Sequence, residues 1–199
     1  MIKEVLVNRH LDCLKTKTAD QKNICPVERL ADVLDRPPFT SSRPIHTFCD
    51  LDGTVLFFSN KRGANFSSLL ALGRIAKSSQ ELTLWSLRVK TSDNFFPQIF
   101  DQKSLSYPPI INDRSLLRLK KFFSTTAPQT EINFNLGLGK LAKEGLFPRV
   151  NQVLDEPRQE AVLIGSSVFD RLEMGKLLKK LPKERKDRLW YFDTGKIIF

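Results

Sequence analysis

The sequence predicts an α/β fold with a central, mainly parallel sheet, and three observations carry that prediction. From Ile45 onward, short apolar runs alternate with amphipathic segments, as βαβ units require. One of these runs, Ala161-Val162-Leu163-Ile164-Gly165, carries no polar side chain, the pattern of a strand covered on both faces. Ahead of Ile45 lies Arg36-Pro37-Pro38-Phe39-Thr40-Ser41-Ser42-Arg43-Pro44, whose prolines forbid helix and whose polar residues offer no core. That linker divides the chain into a short N-terminal helical extension with its linker, residues 1–44, and a main domain, residues 45–199.

The elements follow in order. In the extension, Ile2, Val5, Leu6 and Leu11 make one apolar stripe of a helix, and Val27 to Leu34 make a second short one. Ile45 to Cys49 reads as a strand ending at Asp50, with His46 and Thr47 more polar than a buried central strand usually carries. Val55-Leu56-Phe57-Phe58, followed by Asn60-Lys61-Arg62-Gly63, reads as a hairpin-like flap turning at the glycine. Phe66 to Lys77 is expected to be a helix with Phe66, Leu69, Leu70, Gly73 and Ala76 near one face. Leu82-Thr83-Leu84-Trp85-Ser86 is a second strand, and residues 87–112, with Tyr107-Pro108-Pro109, read as irregular or partly helical. Asp113 is the expected N-cap of a helix Arg114–Phe123, with Leu116, Leu117 and Leu119 inward. Gly137 to Glu144 reads as a loop and helix start. After the strand Ala161–Gly165 comes a basic helix, Phe169 to Leu181, stopped by Pro182. Leu189–Phe192, Asp193-Thr194-Gly195 and Lys196–Phe199 read as strand, turn and strand.

Composition narrows the function classes. A chain of 199 residues with 41% hydrophobic and 27% charged residues can bury a real core, which argues against wholesale disorder. No apolar run approaches the roughly 18–20 residues of a membrane helix, and the first residues lack a signal-peptide pattern. The cytoplasm is therefore the default expectation. The cysteines, Cys13, Cys25 and Cys49, form neither a disulfide framework nor a zinc spacing. With only His10 and His46 available, a histidine-rich metal site or a Ser-His-Asp triad is disfavoured. Cys49, just before the end of a strand, reads as a small core residue rather than a nucleophile. A net charge of +10 predicts attraction to polyanions, and reads equally as a solvated basic face.

The run with chemistry in it is Phe48-Cys49-Asp50-Leu51-Asp52-Gly53-Thr54. Residues i and i+2 of a strand point the same way. A chain leaving the sheet at Asp50 can therefore aim Asp50 and Asp52 into the crevice beyond the strand ends, where open α/β sheets hold their ligands. Gly53 permits a sharp turn, and Thr54 offers a hydroxyl to the loop. Two adjacent carboxylates repel unless a cation lies between them, which points to a hard ion such as Mg²⁺.

This run resembles the first motif, Asp-x-Asp-Gly-Thr/Val, of the haloacid dehalogenase-like (HAD) phosphatases. The resemblance covers residues 45–199, with the further motifs in the family's order. It implies a Rossmann-like three-layer sandwich, a magnesium cofactor and hydrolysis of phosphomonoesters through an aspartyl phosphate. By that resemblance Asp50 attacks phosphorus, while Asp52 serves as general acid and then base and lends a backbone carbonyl to the metal. An acid at position 52 goes with phosphatase or mutase chemistry. The second motif, an apolar strand ending in Ser or Thr, assigns Ser86 to the transferring phosphoryl group, with Thr54 as a further phosphate-binding residue. The third is a lysine at a helix entry: Lys140 or Lys143, with Lys140 preferred because Gly137-Leu138-Gly139 precedes it. The fourth matches Gly165-Ser166-Ser167-Val168-Phe169-Asp170, so that Asp170 holds magnesium, the alternative being a helix N-cap. Ser166 stands where many relatives have a second aspartate, which leaves one carboxylate in this motif.

Between Thr54 and Ser86 there is room for the flap and one helix, and Leu87 to Gly139 must also supply core elements. The resemblance therefore implies a nearly capless site, which in this family goes with large substrates or closure by a partner. Together with the charge of +10, the expected substrate is a phosphorylated polyanion: a nucleic-acid end, a nucleotide or a phosphoprotein. No nucleic-acid-binding motif accompanies it. The alternative is a catalytically weak or inactive module of the same fold that binds a phosphorylated ligand, nucleic acid or a protein. Retention of both Asp50 and Asp52 speaks against that.

Overall fold

A computed structural model describes residues 24–51, 54–57, 63–64, 66–86, 113–136, 146–165, 175 and 177–194. The strands are β1 (Ile24–Pro26), β2 (Ile45–Asp50), β3 (Leu56–Phe57), β4 (Gly63–Ala64), β5 (Glu81–Ser86), β6 (Glu131–Leu136), β7 (Glu160–Gly165) and β8 (Leu189–Asp193). The helices are a 3-10 turn, Leu30–Asp35, then α1 (Phe66–Lys77), α2 (Asp113–Thr126), α3 (Leu146–Asp155) and α4 (Lys183–Lys186). Six strands form one sheet in the order β1-β8-β7-β2-β5-β6. Every neighbouring pair in it is parallel. β3 and β4 pair antiparallel as a separate ribbon where a flap was expected after the first strand, but Gly63, expected at its turn, lies within β4 opposite Phe57.

From β2 the chain steps outward to β5 and β6, then returns to the other side of β2 for β7 and β8. The winding therefore reverses at β2. Strand alternation sends side chains to two cores. Cys49, Leu82, Leu84, Val162, Ile164 and Phe192 pack with α1, α2 and the 3-10 turn. Phe48, Trp85, Ala161, Leu163, Leu189 and Tyr191 pack with α3 and with Leu177, Leu178 and Leu181. Both faces of the sheet are thus covered by helix, which is why β7 is apolar on both sides. The polar side chain of Thr47 is accommodated through its neighbours: its hydroxyl bonds that of Ser79 at 2.7 Å, and Ser79 donates to the Ile75 carbonyl at 2.8 Å.

Several elements differ from their sequence expectation. Of residues 24–44, Ile24–Pro26 form a strand of the main sheet. β1 extends the edge beside β8, Val27, Leu30 and Val33 are core residues, and the Pro44 carbonyl accepts the Glu160 N–H at 3.0 Å. Helix α2 starts at Asp113 and runs to Thr126. Leu117 is 66% exposed and Leu70 47% exposed, although both were expected to face inward. The inward stripe of α2 is Leu116, Leu119 and Phe123, at i, i+3 and i+7, and Leu117 lies about 100° from its start. Strand β6 had no counterpart in the sequence expectation, and helix α3 begins at Leu146, just beyond the loop and helix start expected over Gly137 to Glu144. Among the described residues, no helix is long and apolar enough to cross a membrane.

Candidate functional site

All strands of the main sheet end at one edge, and β2 ends where the winding reverses. In open α/β sheets that is where ligands bind. Asp50 is the last residue of β2 and is 3% exposed; Ser86 is the last residue of β5 and is 1% exposed. The register sets Asp50 opposite Trp85, one residue before Ser86, and the ladder continues with the Leu51 N–H donating to the Trp85 carbonyl at 2.9 Å. Gly165 ends β7, the strand on the other flank of β2. The structure thus brings Asp50 and Ser86 to one edge on adjacent strands, with Ser86 one step diagonal to Asp50 across the ladder.

Strand alternation fixes how a ligand would meet them. Asp50 is in step with Phe48, which faces the α3 side, whereas Ser86 is in step with Leu84, which faces the α1 side. A group touching both must lie across the strand tips rather than on one face. Cys49 is wholly buried, and its thiol donates to the Asp50 carbonyl at 3.4 Å, so it is a core residue supporting the strand end.

Thr54 places its hydroxyl in the loop. It is 0% exposed, and its hydroxyl is hydrogen-bonded to that of Thr194 at 3.0 Å. A wholly buried hydroxyl with a protein partner anchors the loop. Asp52, Lys140, Lys143, Ser166 and Asp170 lie outside the described residues. Among the described residues, no three His, Cys, Asp or Glu are grouped so as to hold a metal ion. Comparison of the chain with family models, curated proteins and solved structures finds no match in any of the three.

A second polar cluster occupies the opposite edge, where β2, β5 and β6 begin. Glu81, 5% exposed, accepts from Arg149 Nη2 at 3.0 Å on both carboxylate oxygens. It also accepts from Asn133 Nδ2 at 2.9 Å and from the Thr83 hydroxyl at 3.2 Å. His46 Nδ1 lies 3.2 Å from its Oε2. The hydrogen bond from His46 is the largest cause holding the Glu81 carboxyl down, to about 2; Arg149 and Asn133 add to it, and burial opposes them. This cluster ties the starts of β2, β5 and β6 to α3 and is remote from Asp50. The sequence holds little local signal for it, since apart from Thr83 Glu81 draws its partners from β2, β6 and α3. Thr194 escaped notice for the same reason: Asp193-Thr194-Gly195 reads as an ordinary turn until Thr54 is seen beside it.

Proposed function

We propose that this chain is a magnesium-dependent phosphatase of the haloacid dehalogenase-like type, with a Rossmann-like three-layer, nearly capless domain. The observation that carries the proposal is the seat of Asp50. It is a buried carboxylate on the last residue of the strand where the winding reverses, beside Ser86 on the next strand end. Carboxylate nucleophiles form covalent intermediates that divide one difficult displacement into two easier ones. In the proposed reaction an Asp50 oxygen attacks phosphorus, and Asp52 gives a proton to the departing ester oxygen. Asp52 then takes a proton from the water that cleaves the aspartyl phosphate. The Ser86 hydroxyl and Lys140 hold the equatorial oxygens on which transition-state charge accumulates.

The donor set suits a hard cation: carboxylates of Asp50 and Asp170 and the backbone carbonyl of Asp52 are oxygen ligands of the kind Mg²⁺ prefers. When bound there, Mg²⁺ neutralises charge between the nucleophile and the phosphate. Thr54 serves as the anchor of the loop. The net charge of +10 favours a phosphorylated polyanion as substrate.

The test is release of phosphate from an aryl phosphate with and without Mg²⁺, alongside trapping by fluoroberyllate. Wild-type turnover should need Mg²⁺, and Asp50→Asn should lower it by at least about a thousandfold while leaving the circular-dichroism spectrum unchanged. Near-normal magnesium-dependent activity in Asp50→Asn overturns the assignment. Silence of the wild type in both assays returns the chain to the class of phosphate-binding modules without turnover.

A further inference from the structure

The loop that leaves β2 is fastened at both ends. On its near side the Leu51 N–H remains in the sheet ladder, bonded to the Trp85 carbonyl at 2.9 Å. On its far side the Val55 N–H closes back on the Leu51 carbonyl at 3.2 Å, and Leu51 and Val55 are both 0% exposed. Between these bonds the loop has one further described tie, the hydroxyl pair of Thr54 and Thr194, 140 residues apart in sequence. Thr194 is itself held rigidly. Its N–H donates to the Gly165 carbonyl at 3.0 Å, and the carbonyl of the preceding Asp193 accepts the Val27 N–H at 3.0 Å. The bridge therefore runs from the loop after β2 to the residue after β8, over the end of the intervening β7.

Packing alone does not call for two hydroxyls here. Thr54 and Thr194 are 0% and 1% exposed, and a pair of valines would fill nearly the same volume without having to satisfy buried polar atoms. What the hydroxyl pair adds is direction: a hydrogen bond fixes distance and angle, whereas methyl contacts let the loop slide. We infer that Thr194 is a positioning residue, which through Thr54 fixes the turn that follows Asp50 and so sets the carboxylate at the strand tip. Its catalytic consequence rests on the role proposed for Asp50; the clamp itself does not.

The experiment uses the full chain with Thr194→Val, Thr194→Ser, Thr54→Val and the Thr54→Val/Thr194→Val double variant. Amide hydrogen exchange at Leu51 and Val55 should accelerate about tenfold in Thr194→Val, the factor that one buried hydrogen bond is worth. Exchange at Val162, Leu163 and Ile164 should stay unchanged. Thr194→Ser, which keeps the hydroxyl, should restore slow exchange. The double variant should exchange no faster than either single valine variant, as expected for two partners of one bond. With an aryl phosphate, Thr194→Val should lower kcat about tenfold with KM within twofold, and Thr194→Ser should recover it. Unchanged exchange at Leu51 and Val55 in both single valine variants overturns the clamp, as does a serine variant no better than valine. Accelerated exchange with unaltered kcat overturns its role in positioning Asp50. A wild type inert toward phosphate defeats the proposed function, and the exchange measurement still decides the clamp.

Discussion

Glutamine in place of Glu81 removes one negative charge from the N-terminal edge of the sheet while keeping the side chain's shape. The effect on stability can be worked from the structure. The carboxyl falls from an ordinary 4.5 to about 2 in the folded protein, through His46 first and then Arg149 and Asn133. That lowering corresponds to about 3 kcal/mol of folding free energy at neutral pH, at about 1.4 kcal/mol per pH unit. The Arg149 side chain is 42% exposed, so water screens part of its share and the figure is an upper value. The same exposure lets the guanidinium turn to solvent when its partner loses charge, which spares the variant a stranded buried cation. The sign follows from the folded value lying below the unfolded one. The contribution is complete above about pH 4.5 and is lost as pH falls toward about 2. Urea unfolding of wild type and Glu81→Gln should therefore differ by up to about 3 kcal/mol at pH 7 and by up to about 1 kcal/mol at pH 3. Taking the difference between the two proteins cancels the titrating groups that do not touch Glu81. A gap that is equal at both pH values, or below about 1 kcal/mol at pH 7, would refute the reasoning.

Two further predictions concern packing. A Cβ on Gly73 would lie 2.9 Å from Thr126 Cγ2 and 3.0 Å from Phe122 Cζ, where α1 crosses α2. Thr126 is stiffly branched and bonded to the Phe122 carbonyl at 2.7 Å, so Gly73→Ala should destabilise by about 1 kcal/mol despite its better helix propensity, read by thermal melting. Arg188 donates to the carbonyls of Leu154, Glu156 and Gln159 at 2.6, 2.6 and 2.9 Å, satisfying the end of α3. Arg188→Ala should cost about 2 kcal/mol in urea unfolding, with the loss of protection concentrated in the last turn of α3 under hydrogen exchange.

What the sequence made legible was whatever its own neighbourhood determines. β7 is readable because both its faces are covered, so its side chains from Ala161 to Ile164 are all apolar. α1 is readable from its period, apart from Leu70, which lies just past the edge of the buried stripe. β6 alternates Ile132, Phe134 and Leu136 with Glu131, Asn133 and Asn135, an edge-strand pattern too short to stand out from the loop segments around it. β1 offers almost no pattern. It is short, and it ends in Pro26, whose missing N–H an edge strand tolerates. The Asp50 and Ser86 positions could be found because a strand end and its acid or hydroxyl are adjacent in sequence. The partners of His46, Thr54 and Glu81 could not, because each lies on a strand or loop that only the completed sheet brings near.

The two polar clusters share strands, and that makes their separation testable. β2 carries His46 near its start and Asp50 at its end, and β5 carries Glu81 at its start and Ser86 at its end. At about 3.3 Å per residue the two edges are about 13–17 Å apart along the strands. The interior between them is the rigid ladder and its two apolar cores. A charge removed at Glu81 weakens the hold of β2, β5 and β6 on α3, yet it leaves the loop after Asp50 anchored by Leu51 and Thr194. Under conditions where it remains folded, Glu81→Gln should keep the wild-type kcat and the wild-type exchange rate at Val55 while losing stability. Thr194→Val should do the reverse, losing kcat and protection at Val55 with a smaller fall in the urea midpoint. Equal losses of stability and kcat in both variants would mean that the two edges act as one cooperative unit, and the division between a stabilising edge and the edge proposed to react would fall.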